Sequence, residues 1–478
     1  MLKIISDRLY RTDIKARMPF KYGIATMVEV PHVFLEISLS VNGKEQKGIS
    51  ADHLPPKWFT KDPDKDPLDE ISEMLDVIHH AMNISIGEEA ETPFELWQKI
   101  YKPQLAWGIQ NQYPPLLSNF GTTLIERALL DAFCKGTNET FFSAVKTNSL
   151  GIDLGKIHSE LSGSSPLDYL DTAPPTSVFA RHTVGLADPL MTDDIIEAER
   201  LHDGLPQSLE ENIHTYGLRH FKLKINGQQD TDIERLIIIA KILKKNCTDY
   251  SFSIDGNESF HDVASFAAFW QKISIHPQLS EFLKNLLFIE QPFHRSLALS
   301  DSIGEMTSSW PDRPPIIIDE SDAELGSLPK ALHLGYAGTS HKNCKGVFKG
   351  LANACLLRQK SRENPSATYL MSGEDLSNIG PVALIQDLVV QMSLGITSIE
   401  RNGHHYFKGL SFFPQSIQSA VLKAHPDLYQ ASGEGWPQVA IKEGMLSTKT
   451  LVEAPFGTGF GDLPLDSFEL IYEGLPSN

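Results

Sequence analysis

Five segments of the chain share one pattern, in which a short apolar or alternating stretch ends on charged or amide-bearing residues. The polar ends are Lys222 and Lys224, Asp255 and Asn257, Glu290, Asp319 and Glu320, and Lys342. Counted from Lys224, successive ends are separated by 31, 35, 29 and 23 residues, which is about the length of a strand plus a crossover helix. A run of such units predicts a TIM barrel, in which the carboxyl ends of the strands meet at one pocket.

Alternation within these segments indicates which side chains share a face. On a strand, Lys222 and Lys224 point to one side and Phe221 points to the other. The same spacing places Asp255 and Asn257 together. Buried charges are costly unless they are paired or bound to a metal, so lysines opposite carboxylates are expected to form a single site.

The segments outside the repeated pattern predict further elements. Residues 1–60 contain alternating stretches, with Asn42-Gly43 as a hairpin turn. A helix is expected over Thr122–Lys135, ended by Gly136. Residues 150–175 are rich in serine, glycine and proline, which favours a linker.

These elements divide the chain into three predicted parts. An N-terminal α+β unit with its linker covers 1–174, and the barrel covers 175–432. The barrel is expected to begin near Ser177 and to end on a strand over Ile396–Glu400. A segment rich in glycine and proline, 433–478, is expected to pack elsewhere.

Composition narrows the class of protein. At 478 residues, 41% hydrophobic and 22% charged, the chain can bury a large core. The net charge of −19 argues against nucleic acid and anionic membrane as partners, because both need a basic surface. Four cysteines without zinc-type spacing suit a reducing compartment. The early polar residues do not resemble a signal peptide, and no run of 18 apolar residues occurs, so a cytoplasmic protein is expected.

The strand ends, taken in order, resemble those of the enolase superfamily. The motifs that carry the resemblance are Lys222-x-Lys224, Asp255-x-Asn257, Glu290-Gln291-Pro292, Asp319-Glu320-Ser321 and Lys342, on strands two to six. They are most similar to the muconate-lactonizing-enzyme-like subgroup, with its dipeptide epimerases, N-acylamino acid racemases and o-succinylbenzoate synthases. The resemblance implies a modified TIM barrel of (β/α)7β type, with an α+β capping domain built from the N-terminal segment and the C-terminal tail.

The resemblance also implies a metal site. Asp255, Glu290 and Asp319 would bind one Mg²⁺, with Mn²⁺ as the alternative ion, because hard oxygen donors suit these ions better than zinc. Periodicity leaves open whether Asp319 or Glu320 faces inward, and the pattern of the subgroup favours Asp319. Asn257 and Glu320 are then expected beside the metal or the substrate.

Two lysines would move the proton in this family. The resemblance implies Lys224 as the base on one face of the substrate and Lys342 as the acid or base on the opposite face. The charge of Lys222, together with the metal, is expected to lower the pKa of Lys224. The sixth strand lacks the usual apolar lead-in and double glycine, so Lys345 remains a rival to Lys342.

The remaining candidates concern the substrate. Met18–Gly23 resembles the substrate-covering loop of the family, which makes Phe20 and Tyr22 candidate contacts. The seventh strand has no histidine where the mandelate-racemase subgroup carries its base, and the eighth lacks the paired aspartates of dipeptide epimerases. Glu374, Asp375 and Glu400 stand at these two strand ends and are expected near the substrate.

The expected function is metal-dependent removal of the proton α to the carboxylate of a small molecule. Racemisation or epimerisation is favoured, and cycloisomerisation and β-elimination are alternatives within the same chemistry. A Schiff-base aldolase and a non-catalytic, metal-bound binding module are the alternatives from other classes. The sequence leaves the oligomeric state open and is compatible with a homo-oligomer.

Overall fold

The N-terminal domain is built on an antiparallel sheet. In this computed structural model, which describes residues 1–474, its first strands are β1 (Leu2–Tyr22), β2 (Ala25–Val41), β3 (Lys44–His53) and β4 (Glu89–Ala90). Asn42 and Gly43 form the β2–β3 turn, as predicted, with φ of 53° and 77°. Both residues adopt this left-handed conformation easily.

Four helices accompany this sheet: α1 (Pro67–Ser85), α2 (Pro93–Gln110), α3 (Pro115–Thr137) and α4 (Phe141–Thr147). The buried helix α3 packs on β2 and β3. The prediction of a helix over Thr122–Lys135 was too short at both ends. Pro115 begins the helix, where a missing N–H costs nothing, and Asn138 ends it in a left-handed conformation. Gly136 stays helical because its lack of a side chain lets the helix approach Val41 closely.

The segment predicted as a linker is part of the packed structure. It forms short 3₁₀ turns at Leu154–Lys156, Ser159–Leu161 and Pro166–Asp168, and Leu154 and Leu161 are fully buried. The prediction was wrong because the serine and glycine residues that suggested a linker alternate with apolar residues that join the core.

Eight parallel strands close into a barrel. They are β5 (Ser177–Val184), β6 (His220–Lys224), β7 (Ser251–Asp255), β8 (Leu286–Glu290), β9 (Ile316–Ile318), β10 (Gly338–His341), β11 (Leu370–Gly373) and β12 (Ser398–Arg401). Each pairs with the next, and β12 pairs with β5. The predicted barrel is therefore confirmed, and its last strand begins two residues later than expected.

Helices connect these strands on the outside of the barrel. They are α5 (Leu209–Tyr216), α6 (Gln229–Asn246), α7 (Val263–Ser274), α8 (Ser280–Leu283), α9 (Arg295–Ala298), α10 (Asp301–Ser309), α11 (Ser327–His333), α12 (Val347–Glu363) and α13 (Ala383–Ser393). The short α14 (Gly403–Tyr406) and α15 (Gln415–Ala424) follow the last barrel strand. Within residues 1–474, no helix combines the length and the apolar character that a bilayer crossing requires.

The C-terminal segment contacts both domains. It contains the hairpin β13 (Tyr429–Ala431) and β14 (Pro437–Val439), the hairpin β15 (Ile441–Lys442) and β16 (Met445–Ser447), helix α16 (Lys449–Glu453) and β17 (Glu469–Gly474). Strand β16 pairs antiparallel with barrel strand β5, and β17 pairs with β1 of the N-terminal sheet. The fold is a modified TIM barrel with an α+β capping domain, and residues 475–478 of the predicted tail lie outside the described part.

Candidate active site

Strand register aligns the predicted residues at one end of the barrel. Parallel pairing sets Lys224 opposite Asp255, and Asp255 opposite Glu290, at the carboxyl ends of β6, β7 and β8. Asp319 directly follows β9, and Lys342 directly follows β10. All five side chains are buried, so the charged groups that are scattered in the sequence share one enclosed region.

Lys222 lies at the centre of a ring of carboxylates. Its ammonium nitrogen is 2.9 Å from Glu290 and Glu374, and 3.0 Å from Asp255 and Glu400. Burial alone would lower the pKa of Lys222, but the four carboxylates raise it well above its ordinary value. Lys222 is therefore protonated and holds together four acidic groups that would otherwise repel one another.

Lys224 lies beside Lys222, on the same face of β6. Its Nζ is 2.5 Å from Asp255 Oδ2 and 2.6 Å from Asn257 Oδ1. Asn257 adopts a positive φ of 42°, and its backbone N–H donates to Asp255 Oδ1 over 2.8 Å. The Asp255-x-Asn257 motif thus fixes the ammonium group at the wall of the cavity.

Lys342 faces the cavity, whereas its rival Lys345 lies behind the site. Lys342 Nζ is 2.8 Å from Asp319 Oδ1 and 2.6 Å from Glu374 Oε2, and it lies 5.5 Å from the centre of the Trp58 ring. Lys345 Nζ is 2.9 Å from the same Asp319 Oδ1, and it donates to the backbone carbonyls of Asp319 and Ser340 over 3.0 and 2.7 Å. Lys342 is therefore the better placed of the two to reach a substrate.

Asp319 and Glu320 point to different surroundings. Burial opposes the charge of Asp319, but Lys342 and Lys345 hold its pKa well below the ordinary value. Glu320 instead faces Lys61, at 3.9 Å. Burial, followed by the charges of Asp319 and Glu258, raises the pKa of Glu320 to about 7. Of these two acidic residues, Asp319 is therefore the one that is negatively charged and contacts both Lys342 and Lys345.

Three carboxylates are arranged so that one cation could contact them all. Oxygen atoms of Glu290, Asp319 and Glu374 lie within 4.8 Å of one another, and all three residues are buried. The donor set consists of hard oxygens, which suit Mg²⁺ or Mn²⁺. Asp255, which was expected in place of Glu374, is instead engaged by Lys224 and by the N–H of Asn257. Asp255 and Glu374 are therefore both candidates for the third ligand, beside Glu290 and Asp319.

Glu374 was expected only as a neighbour of the substrate. In the structure it accepts hydrogen bonds from Lys222, Lys342 and Ser372 Oγ, the last over 2.7 Å, and it lies 3.3 Å from Arg181. Burial opposes its charge, but Lys222 and Lys342 hold its pKa well below the ordinary value. The signal in the sequence was its position directly after the seventh strand.

Asp375 and Glu400 line the cavity, but both carboxylates already have hydrogen-bond or ion-pair partners within the protein. Asp375 pairs with Arg401 and accepts from the N–H of Ser377 over 2.9 Å. Burial raises the pKa of Asp375 to about 7, against the lowering effect of Arg401. Glu400 accepts from Thr183 Oγ1 over 2.6 Å, in addition to Lys222.

The capping domain covers the cavity with apolar side chains. The cavity measures about 40 Å³, and the capping residues that line it are Phe20, Tyr22, Met27, Pro55 and Trp58. Phe20 stacks on Tyr406 with ring centres 4.1 Å apart. The expected covering segment is therefore next to the site. Trp58 and Met27 were missed, because their positions depend on how the two domains meet.

An ion pair joins the Trp58 loop to the barrel. Arg295 donates to the carbonyls of Trp58 and Phe59 over 3.0 and 2.6 Å. The same guanidinium binds both carboxylate oxygens of Glu258, at 2.7 and 2.8 Å. Lys61 of the capping domain is 3.4 Å from Glu258. This cluster fixes the loop that brings Trp58 over the site.

Known proteins resemble this chain in structure rather than in sequence. No protein-family model matches the sequence, and no curated protein is similar to it in sequence. Muconate lactonizing enzyme from Pseudomonas fluorescens, complexed with muconolactone, is similar in structure, with a TM-score of 0.61 at 17% identity over 98% of this chain and 99% of that chain.

Two further structures show the same likeness. N-succinyl Arg/Lys racemase from Bacillus cereus has a TM-score of 0.58 at 15% identity, over 99% of each chain. Dipeptide epimerase from Cytophaga hutchinsonii, complexed with Mg and the dipeptide D-Ala-L-Val, has a TM-score of 0.56 at 14% identity, over 98% of this chain and 99% of that chain. At such identity the likeness concerns the fold alone: the chain has the same barrel-and-cap fold as these three structures.

Proposed function

We propose that the protein is a Mg²⁺-dependent enzyme that removes the proton α to the carboxylate of a small molecule, and that its overall reaction is racemisation or epimerisation. The observation that carries the proposal is the placement of Lys224 and Lys342 at one cavity. Their strands, β6 and β10, are four apart in a closed ring of eight, so the two ammonium groups approach the cavity from opposite sides. Structural likeness to a muconate lactonizing enzyme, a racemase and an epimerase supports the general reaction type.

The acidic residues fit the remaining requirement of this chemistry. A proton next to a carboxylate is only weakly acidic, and its removal leaves an enolate with two negative charges on the carboxylate oxygens. When bound by Glu290 and Asp319, with Asp255 or Glu374, Mg²⁺ would stabilise this charge more than that of the substrate. Lys222 would keep the surrounding carboxylates in place, and the capping side chains would exclude water.

The two lysines would divide the proton transfer between them. In a racemase, one lysine takes the proton from one face and the other returns a proton to the opposite face. In a cycloisomerase or a β-eliminating enzyme, one lysine is sufficient as the base and the other contributes charge. The opposed placement favours the first arrangement.

Exchange with heavy water tests the reaction class, because every reaction of this type passes through removal of the α-proton. A library of α-substituted carboxylic acids is incubated with the protein and Mg²⁺, and deuterium at the α-carbon is followed by NMR. We expect exchange that EDTA abolishes, that the double variant Lys224→Ala/Lys342→Ala loses, and that the exposed control variant Lys245→Ala retains. Exchange that survives EDTA would contradict the proposal.

The alternatives from other classes make different predictions. A Schiff-base aldolase would be trapped covalently by borohydride in the presence of its substrate. A protein that works as proposed would give no borohydride-trapped adduct at either Lys224 or Lys342. A binding module would bind carboxylates without exchanging their protons.

A further inference from the structure

The two halves of the cavity wall differ in chemical character. The charged side chains that line it all come from the barrel: Lys222, Lys224, Asp319, Lys342, Asp375 and Glu400. The capping domain contributes only uncharged residues, and Leu376 of the barrel extends the same apolar surface. A ligand that spans the cavity therefore meets charge at one end and apolar side chains at the other.

The side chains of the apolar half are buried and are held in place by contacts within the protein. Phe20 and Met27 are cross-strand partners on β1 and β2, and both are at least nine-tenths buried. The hydroxyl of Tyr22 donates to the carbonyl of Pro56 over 3.0 Å, so its hydrogen is already used. The indole of Trp58 is 6% exposed and is held from behind by the Arg295 contacts to its loop.

Charges near this surface already have partners. Asp375 pairs with Arg401, and Glu400 is satisfied by Lys222 and Thr183. Lys61, a cation of the capping domain, donates to the carbonyl of Asn257 over 3.1 Å and does not line the cavity. A charged group on the distal end of a substrate would thus be desolvated without a free counter-charge, which is strongly unfavourable.

We infer, on the basis of the proposed function, that the substrate is a carboxylic acid whose distal end is uncharged and apolar. Its carboxylate faces the barrel, and its tail packs against Met27, Trp58 and Leu376. This differs from what a succinyl group or a free ammonium group would need, because each carries a charge that this wall does not match. The class is therefore a monocarboxylate with an aliphatic or aromatic tail.

Two matched series of acids test the inference. The first contains N-acetylleucine, N-acetylglutamine, N-acetylglutamate and N-acetyllysine, and the second contains the 2-hydroxy acids with the same four side chains. Deuterium exchange at the α-carbon is measured by NMR with the Mg²⁺-loaded protein, and affinity is measured by calorimetry. We expect the leucine-type tail to exceed both charged tails by about tenfold or more in kcat/KM and in affinity.

A variant with an added positive charge in the apolar wall provides a second test. Met27→Arg places a cation in the apolar wall and is expected to shift the preference toward the glutamate-type tail. The control is Val28→Arg, because Val28 is the next residue of the same strand and is 59% exposed. The control should leave the ranking of the tails unchanged. If Met27→Arg does not fold, the ranking by the wild-type protein remains decisive.

The outcomes separate this inference from the proposed function. Exchange with a charged tail ranked equal to or above the apolar tail would overturn the inference and keep the function. Tight binding of the apolar tail without any exchange would keep the inference and count against the function. Failure of every acid to bind the Mg²⁺-loaded protein would overturn both.

Discussion

The four carboxylates around the Lys222 ammonium come from the ends of four different strands. Buried carboxylates at this density repel one another unless cations lie between them. Lys222 and Lys342 provide that charge, and both contact Glu374. A divalent cation would perform the same task, so metal binding and these lysine contacts are expected to depend on the same acidic residues.

Substitution of single carboxylates should separate the two candidate ligand sets. We expect Glu290→Gln and Asp319→Asn each to weaken Mg²⁺ binding by more than about tenfold, since loss of even an indirect partner of a metal ligand has an effect of that size. Isothermal titration calorimetry measures the affinity, and Glu320→Gln serves as the control because Glu320 faces Lys61 instead.

Asp255→Asn and Glu374→Gln then decide which residue completes the set. A large loss in Asp255→Asn alone would favour the ligands implied by the family resemblance, and a large loss in Glu374→Gln alone would favour the grouping seen in the structure. Undiminished Mg²⁺ affinity in Glu290→Gln would contradict both sets.

At the level of elements, the site depends on loops that cross between the domains. The Trp58 loop is attached to the barrel through Arg295, which in turn is fixed by Glu258, whose side chain is 1% exposed. A buried, two-pronged ion pair of this kind positions its neighbours more precisely than an exposed one. The cover of the candidate active site is thus set by a contact outside the residues that line the cavity.

Loss of this ion pair should affect substrate binding more than chemistry. We expect Glu258→Gln to raise KM severalfold and to lower the free energy of unfolding by about 3 kcal/mol, while Mg²⁺ affinity stays unchanged. Steady-state kinetics and urea denaturation measure the effects. Arg358→Gln is the control, because its pair with Asp171 is exposed. A fall in kcat with unchanged KM would contradict a positioning role.

The strand that closes the capping sheet predicts a dependence of stability on pH. Asp7 on β1 pairs with Gly474 on β17 and is 1% exposed. Burial raises its pKa to about 7, and the neighbouring polar groups of Gly474 and Ser85 oppose this only in part. Between pH 4 and 7 the folded state then binds more protons than the unfolded state, so stability falls as the pH rises through 7.

Removal of this charge should therefore stabilise the protein at high pH only. We expect Asp7→Asn to raise the free energy of unfolding by roughly 1 to 4 kcal/mol at pH 8 and to have little effect at pH 4. Urea denaturation at both pH values measures this. Asp13→Asn, on the same strand but exposed, should change neither. Equal effects of Asp7→Asn at both pH values would contradict the assignment.

A strand or turn could be predicted from the sequence where a local property of the chain determines it. The alternation of apolar and polar residues, followed by a charged residue, predicted the positions of β6, β7 and β8. This was possible because the alternation of side chains along a strand and the length of a strand are local properties. The Asn42-Gly43 turn followed from backbone preference in the same way. The extent of α3 and the packing of residues 150–175 depended on tertiary contacts, which no local pattern encodes.

The same limit applied to the site. The sequence placed Lys224, Asp255 and Glu290 at neighbouring strand ends, since strand order follows chain order in the barrel. It could not show that Glu374 bridges two lysines, because its contact with Lys222 joins strands that are neighbours neither in the chain nor in the barrel. Nor could it place Trp58 beside Lys342, because that contact crosses the domain boundary.

For the whole molecule, the closed barrel sets the geometry of the proposed reaction. Eight strands in a ring place β6 and β10 across from each other, and the capping domain closes the space between them. We propose that Lys224 and Lys342 act on opposite faces of one substrate. Because this division of roles is stereochemical, it is tested by following each enantiomer separately.

The most direct measurement is deuterium exchange of each separate enantiomer of an accepted substrate, followed by NMR in heavy water. It compares the wild type with Lys224→Ala, Lys342→Ala and Lys345→Ala. We expect that Lys224→Ala and Lys342→Ala both lose net racemisation, that each retains exchange of only one enantiomer, and that the retained enantiomers are opposite. Exchange of both enantiomers in Lys342→Ala, together with its loss in Lys345→Ala, would contradict the proposed roles of the two lysines.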